Sequence, residues 1–128
     1  MPKIIWDETY SIGNEEIDKQ HRELIEFFNT AHDKMLSDKD ISSIGINALL
    51  RLVEYCRYHF TFEEEYMEKI GFPEIQRHRE IHKRFHAKLN RHLQQLDQGE
   101  WILTSEILKM TENWIVSHII NEDKRITK

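Results

Sequence analysis

The chain has 128 residues, enough for one domain with a core of its own and too few for two. With 32% charged and 39% hydrophobic residues, four glycines and two prolines, its composition favours a helical soluble domain, and a net charge of −5 argues against a nucleic-acid footprint. No apolar run approaches membrane-spanning length and Met1-Pro2-Lys3-Ile4-Ile5-Trp6-Asp7 lacks an apolar leader segment, so a cytoplasmic protein is expected. The single cysteine, Cys56, excludes an internal disulfide and leaves no Cys-x-x-Cys for zinc, redox chemistry or covalent haem attachment.

In chain order, residues 1–13 read as an irregular arm that carries Trp6 and Tyr10, ends at Gly13 and is long enough to fold back over helices. Asn14 can cap a first helix, Glu15, Glu16 and Asp18 suit its positive end, and Ile17, His21, Leu24, Phe28, Ala31 and Met35 recur at spacings of 4 and 3. Ser37-Asp38-Lys39-Asp40 interrupts that pattern. A second helix then has the seam Leu49, Leu52, Cys56, His59, Glu63, Tyr66 and Ile70, with Cys56 read as a small buried hydrophobe. Gly71-Phe72-Pro73 breaks it, and Pro73 suits the first turn of a third helix with the seam Ile75, His78, His82, Phe85, Leu89, His92 and Leu96 before Gly99. A fourth runs from about Leu103, with Leu103, Ile107, Met110, Trp114 and His118 on its seam, and reaches Asp123. Arg77, Arg79, Lys83, Arg84, Lys88 and Arg91 on the third helix are interrupted by Glu80 and read as a solvated face rather than a docking patch.

Four such helices with short connections predict an all-α fold, an up-down-up-down four-helix bundle spanning residues 14–128 behind the 1–13 arm, in one domain. The topology can be checked against the histidines. His59 with Glu63, and His78 with His82, sit at i,i+4 spacing, so each pair stacks on one helix face roughly 6 Å apart. Across the hairpin, Glu63 lies nine residues before Phe72 and His78 six after, a difference of less than one turn at about 1.5 Å per residue. His21 lies early in the first helix, and His118 with Asp123 late in the fourth. All seven residues therefore fall at one end of the bundle, whereas His32 and His92 belong toward the other. His86, one turn beyond His82, has a structural or supporting role because Phe85 occupies the seam.

Five imidazoles and two carboxylates packed together without a cation would cost on the order of several kcal/mol in desolvation, which metal bonds would offset. Imidazole with carboxylate and no thiolate allows iron, zinc, manganese or nickel. Seven ligands exceed what one ion takes, so a dinuclear site fits. The chain has no Glu-x-x-His pair of the kind used by carboxylate-rich di-iron oxidases, and a histidine-rich set suits reversible O₂ binding better than oxidation of a substrate. Ser117, His118 and Asp123 lack the nucleophile elbow of a serine triad, so no catalytic residue is assigned.

These motifs resemble the hemerythrin family, in particular its single-domain bacterial members, over nearly the whole chain. The resemblance rests on Trp6-Asp7, Ser11-Ile12-Gly13 and Ile17-Asp18-Lys19-Gln20-His21, then His59-Phe60-x-x-Glu63-Glu64, His78-x-x-x-His82-x-x-Phe85 and Trp114-x-x-x-His118-Ile119-x-x-x-Asp123. It implies a centre of two iron ions joined by an oxo or hydroxo bridge and held by His21, His59, Glu63, His78, His82, His118 and Asp123, with Glu63 and Asp123 bridging. It also implies reversible O₂ binding for transport or storage, without enzymatic turnover. His118 and Asp123 are an i,i+5 pair, roughly 140° apart on an ideal helix, so the end of the fourth helix is expected to distort.

The resemblance places His118 on the same iron as His78 and His82, leaving His21 and His59 for the other. Two roughly octahedral ions offer about twelve positions, of which five imidazoles, two bridging carboxylates and one bridging oxygen fill eleven. The open position falls on the iron held by His21 and His59, where O₂, or azide in its place, is expected. Trp114 and Ile115 are the expected pocket wall. The competing readings are an O₂, nitric oxide or redox sensor acting through a partner in trans, a di-iron enzyme handling ferrous iron or peroxide, and a structural metal bundle. A monomer is expected, because no seam is left over for a second copy.

Overall fold

In the computed structural model, residues 4–37, 43–97 and 104–127 are described. They form four helices, α1 (Glu15–Ser37), α2 (Ser43–Ile70), α3 (Ile75–Asp97) and α4 (Thr104–Asn121), with short 3-10 segments at Glu8–Tyr10 and Asp123–Thr127. There is no strand among the described residues. α1 packs on α2, α2 on α3, and α4 against α1, around a core that includes Leu24, Phe28, Leu49, Leu52, Cys56, Phe85, Leu89, Ile107 and Ile115. No described helix is long and apolar enough to cross a membrane.

The arm does fold back. Ile4 is buried in the core, and its backbone exchanges two hydrogen bonds with Asn29: the Ile4 N–H donates to Asn29 Oδ1 at 3.1 Å and Asn29 Nδ2 donates to the Ile4 carbonyl at 2.9 Å. The Arg22 guanidinium lies over the Trp6 ring at 5.2 Å. Gly13, at φ 86°, turns the chain into α1. Asn14 caps that helix as expected, its Oδ1 accepting from the Ile17 N–H at 3.0 Å. Asp18, in the first turn, reaches back to the Ile12 N–H at 2.9 Å and the Ser11 hydroxyl at 2.6 Å, so both sides of the turn are tied.

α2 ends in a Schellman arrangement: the Phe72 N–H donates to the Met67 carbonyl at 2.9 Å and the Gly71 N–H to the Glu68 carbonyl at 3.2 Å, with Gly71 at φ 70°. Pro73 lies in the connecting turn, two residues before α3, rather than in its first turn. The predicted seams hold near the middle of the bundle and drift at the ends. On α2, Met67 is fully buried while Tyr66 is half-buried and Ile70 exposed; on α3, Ile75 and His92 are half-buried. On α4 the enclosed positions are Ile107, Leu108, Thr111, Ile115, His118 and Ile119, and the predicted Met110 and Trp114 are half-buried at its flank. Leu103 and Gly99, and the side chains of Met35 and Leu96, lie outside the described residues.

Candidate metal centre

One end of the bundle brings together the seven residues picked out by topology, all of them at most 5% exposed. Each arrives for a local reason. His59 and Glu63 are consecutive turns of α2, His78 and His82 consecutive turns of α3, and His21 comes from the second turn of α1. Asp123 needs the chain to leave the α-helix. α4 stops at Asn121, and a 3-10 segment begins at Asp123. That break is clamped from outside: Arg77 grips Glu122 through two bonds of 2.6 and 2.9 Å, Arg125 reaches Glu74 at 3.3 Å, Ile126 is buried, and the Thr127 hydroxyl donates to the Ile12 carbonyl.

All five imidazoles present Nε2 to the cluster, and the two carboxylates divide their oxygens. Glu63 Oε1 faces His78 and His82 at 3.1 and 3.2 Å, whereas Oε2 faces His21 and His59 at 3.3 and 3.2 Å. Asp123 does the same, with Oδ1 at 2.9 Å from His78 and 3.0 Å from His118, and Oδ2 at 3.0 Å from His21. Two donor sets result, each with ligand atoms within 4.8 Å of one another: Glu63, His78, His82, His118 and Asp123, and His21, His59, Glu63 and Asp123.

These separations have a physical meaning. Neighbouring ligand atoms about 2.1 Å from an octahedral ion lie about 3 Å from each other, the spacing found throughout the cluster. Hydrogen bonding explains the arrangement poorly. His82 Nε2 and His118 Nε2 meet nose to nose at 3.0 Å, and His21 Nε2, Glu63 Oε2 and both Asp123 oxygens are buried with no hydrogen-bond partner among the described residues. Burying so many unsatisfied polar atoms is costly unless a cation bonds them. The donor set fits metal ions.

The charges suit the same role. Burial favours the neutral acid at Glu63, but the His59 ring and the close approach of His21 and His78 hold its carboxyl well below the usual range. At Asp123, burial and the Glu63 charge push upward and the His118 and His21 rings outweigh them, so it too stays ionised. Burial alone would lower His21 and His78; with Asp123 and Glu63 beside them both rise to about 9. At His118 burial wins and its pKa falls.

Two supporting residues escaped the sequence reading as such. Gln20 Oε1 lies 2.8 Å from His59 Nδ1, and Glu64 Oε2 lies 2.9 Å from His82 Nδ1, so each fixes the ring of a cluster histidine from behind. Their signal was positional: Gln20 precedes His21 and Glu64 follows Glu63, which puts them beside the cluster but one helix away from their own partner. Aromatic rings complete the walls. Phe60 stacks on His82 with centroids 4.0 Å apart, and Trp114 stacks on His118 at 4.2 Å and on Phe85 at 3.7 Å. Trp114 therefore flanks the set that contains His118, while Ile115 is wholly enclosed in the core. His32, buried near Phe28, and His92 take no part in either donor set; His86 contacts Asn90 at 3.3 Å.

A four-helix bundle with two buried donor sets that share a pair of carboxylates defines a class of metal-binding helical proteins. The chain belongs to the hemerythrin family: residues 12–128 match the Hemerythrin HHE cation binding domain. It is similar to a bacteriohemerythrin of Stenotrophomonas maltophilia, with 32% identity over 97% of this chain and 79% of that protein. It is also similar to a myohemerythrin of Theromyzon tessulatum, with 30% identity over 92% of this chain and 86% of that one. The fold overlays a wild-type hemerythrin crystal structure at a TM-score of 0.89 and 22% identity, covering 99% of this chain and all of the other.

Proposed function

We propose that this chain binds O₂ reversibly at a non-haem di-iron centre and serves as an oxygen carrier or store in the cytoplasm, as a monomer. The observation that supports the reading best is the division of the Glu63 and Asp123 oxygens between two donor sets, because a carboxylate that serves two ions presents one oxygen to each. His78, His82 and His118 would hold one iron and His21 and His59 the other, with Glu63 and Asp123 common to both. When bound there, two ferrous ions would supply the two electrons that reversible O₂ binding requires.

The protein's own residues do the rest. Gln20 and Glu64 keep the His59 and His82 rings oriented with Nε2 inward. Phe60 and Trp114 lay apolar rings over His82 and His118, which excludes water from that side of the cluster. The second donor set has one imidazole fewer than the first, so O₂ is assigned to the His21 and His59 side. Anaerobic iron-loaded protein exposed to air and then degassed should show an absorption band that appears and disappears, with two irons per chain by metal analysis. Iron loading without a reversible band would overturn the carrier reading.

A further inference from the structure

Of the basic residues on α3, three are tied to carboxylates. Arg77 is committed to Glu122, Arg79 to Glu68 at 3.1 Å, and Arg84 to Glu80 at 3.3 Å. Lys83 has no carboxylate partner among the described residues, nor has Arg57 on the facing helix α2. These two cations, with Arg79 and His86, line an open groove of about 710 Å³ between α2 and α3. Burial and the Arg57 charge lower the pKa of His86, which lines the same groove. The one carboxylate in the lining, Glu64, is engaged by His82 at 2.9 Å and faces Arg79 at 3.6 Å. On a chain of net charge −5 this is a local positive surface.

The inner lining of the groove is His82 itself, with Phe60 stacked on it. One cluster imidazole thus lies directly beneath a surface of unpaired cations. We propose that this groove is where an acidic one-electron carrier protein docks to return an oxidised centre to its ferrous, O₂-binding state, with the His82 ring as the electron's entry point. The inference rests on the di-iron reading. A neutral ligand or a cationic partner would leave Arg57 and Lys83 uncompensated. An acidic protein surface matches them, and a small, charge-steered contact is the usual form of transient electron-transfer encounters. Beyond about 8 Å at physiological ionic strength the distant negative charges of the chain are screened, so the local patch governs the approach. Each encounter oxidises the carrier by one electron and reduces one ferric ion to ferrous. Two encounters restore the pair, and a solvent proton taken up at the bridging oxygen completes the charge balance.

The test uses iron-loaded, oxidised protein and a reduced plant-type [2Fe–2S] ferredoxin as the acidic probe, with the methyl viologen radical cation as a one-electron donor of opposite charge. The Arg57→Glu/Lys83→Glu variant should retain the iron content and reversible O₂ spectrum of the parent, which separates this idea from the di-iron reading. Reduction by ferredoxin at low salt should slow by about tenfold or more, and added salt should bring the parent down toward the variant. Reduction by viologen should be unchanged or faster in the variant. Binding is read independently by titrating ferredoxin into zinc-loaded protein, which cannot accept electrons: the parent should bind and the variant should not. Equal ferredoxin rates in parent and variant, equal binding, or a parallel slowing with viologen would each overturn the proposal.

Discussion

At the scale of single residues, the cluster divides the eight histidines of the chain by height in the bundle rather than by burial. His32 is as enclosed as His118, both 5% exposed, yet it sits toward the other end of α1, beside Phe28. Replacing His21, His59, His78, His82 or His118 by Ala should lower bound iron well below two per chain, while His92→Ala leaves it unchanged by metal analysis. His32→Ala should lower the melting temperature by opening a cavity, with iron content preserved. If His92→Ala stripped iron as His82→Ala does, the assignment of bundle ends would be wrong. Ile115 offers a separate handle, because it is fully buried one turn before His118 and Ile119. Ile115→Ala should admit water and shorten the lifetime of the O₂-bound spectrum, without loss of iron. An unchanged lifetime would remove Ile115 from the pocket wall.

At the scale of elements, the segment that decides the centre is the short one after α4. An uninterrupted helix would have put Asp123 roughly 140° away from His118. Leaving the helix at Asn121 lets both meet, with Asp123 Oδ1 3.0 Å from His118 Nε2. Ile126 is the apolar anchor of this segment. Ile126→Ala should therefore fray residues after Asn121 and release iron at lower chelator concentration than the parent, while the helical circular dichroism signal of the four long helices stays close to it. Retention of iron equal to the parent would mean that Arg77–Glu122 and Arg125–Glu74 hold the break unaided. The i,i+5 spacing of His118 and Asp123 announces that a distortion is needed here, but not its form. Which turn replaces the helix depends on partners on α3, in the turn before it and in the arm, namely Arg77, Glu74 and Ile12, all remote in sequence.

For the whole molecule, the buried cluster couples folding to metal. Nine buried nitrogen and oxygen atoms of side chains have no hydrogen-bond partner among the described residues, and six of them belong to His21, Glu63, His118 and Asp123. Metal bound to the folded state and absent from the unfolded one should stabilise the fold by about 2.7 kcal/mol at a free metal concentration a hundredfold above Kd. Holo protein should accordingly melt above apo protein. Because ligating imidazoles must be unprotonated, the difference should shrink as the pH falls through the histidine range. Equal melting temperatures for the two forms at neutral pH would show that the cluster is satisfied without metal.

Periodicity alone determined four helices, their antiparallel order and the seven residues that converge, since i,i+4 pairs and heights along helices are local quantities counted along the chain. It misjudged the flanks. Tyr66 and Ile70 were expected inside where Met67 is, and Met110 and Trp114 where Leu108 and Thr111 are. A seam projected over many turns rotates slowly around its helix, and which neighbouring column is enclosed depends on where the next helix lies. Tertiary structure alone decided the pairing of oxygens with imidazoles, the hydrogen bonds of Gln20 to His59 and Glu64 to His82, and the break that aims Asp123 inward. Apart from His59 with Glu63 on α2, these join residues from different elements, and the distances involved are set by packing, which no spacing along one chain specifies.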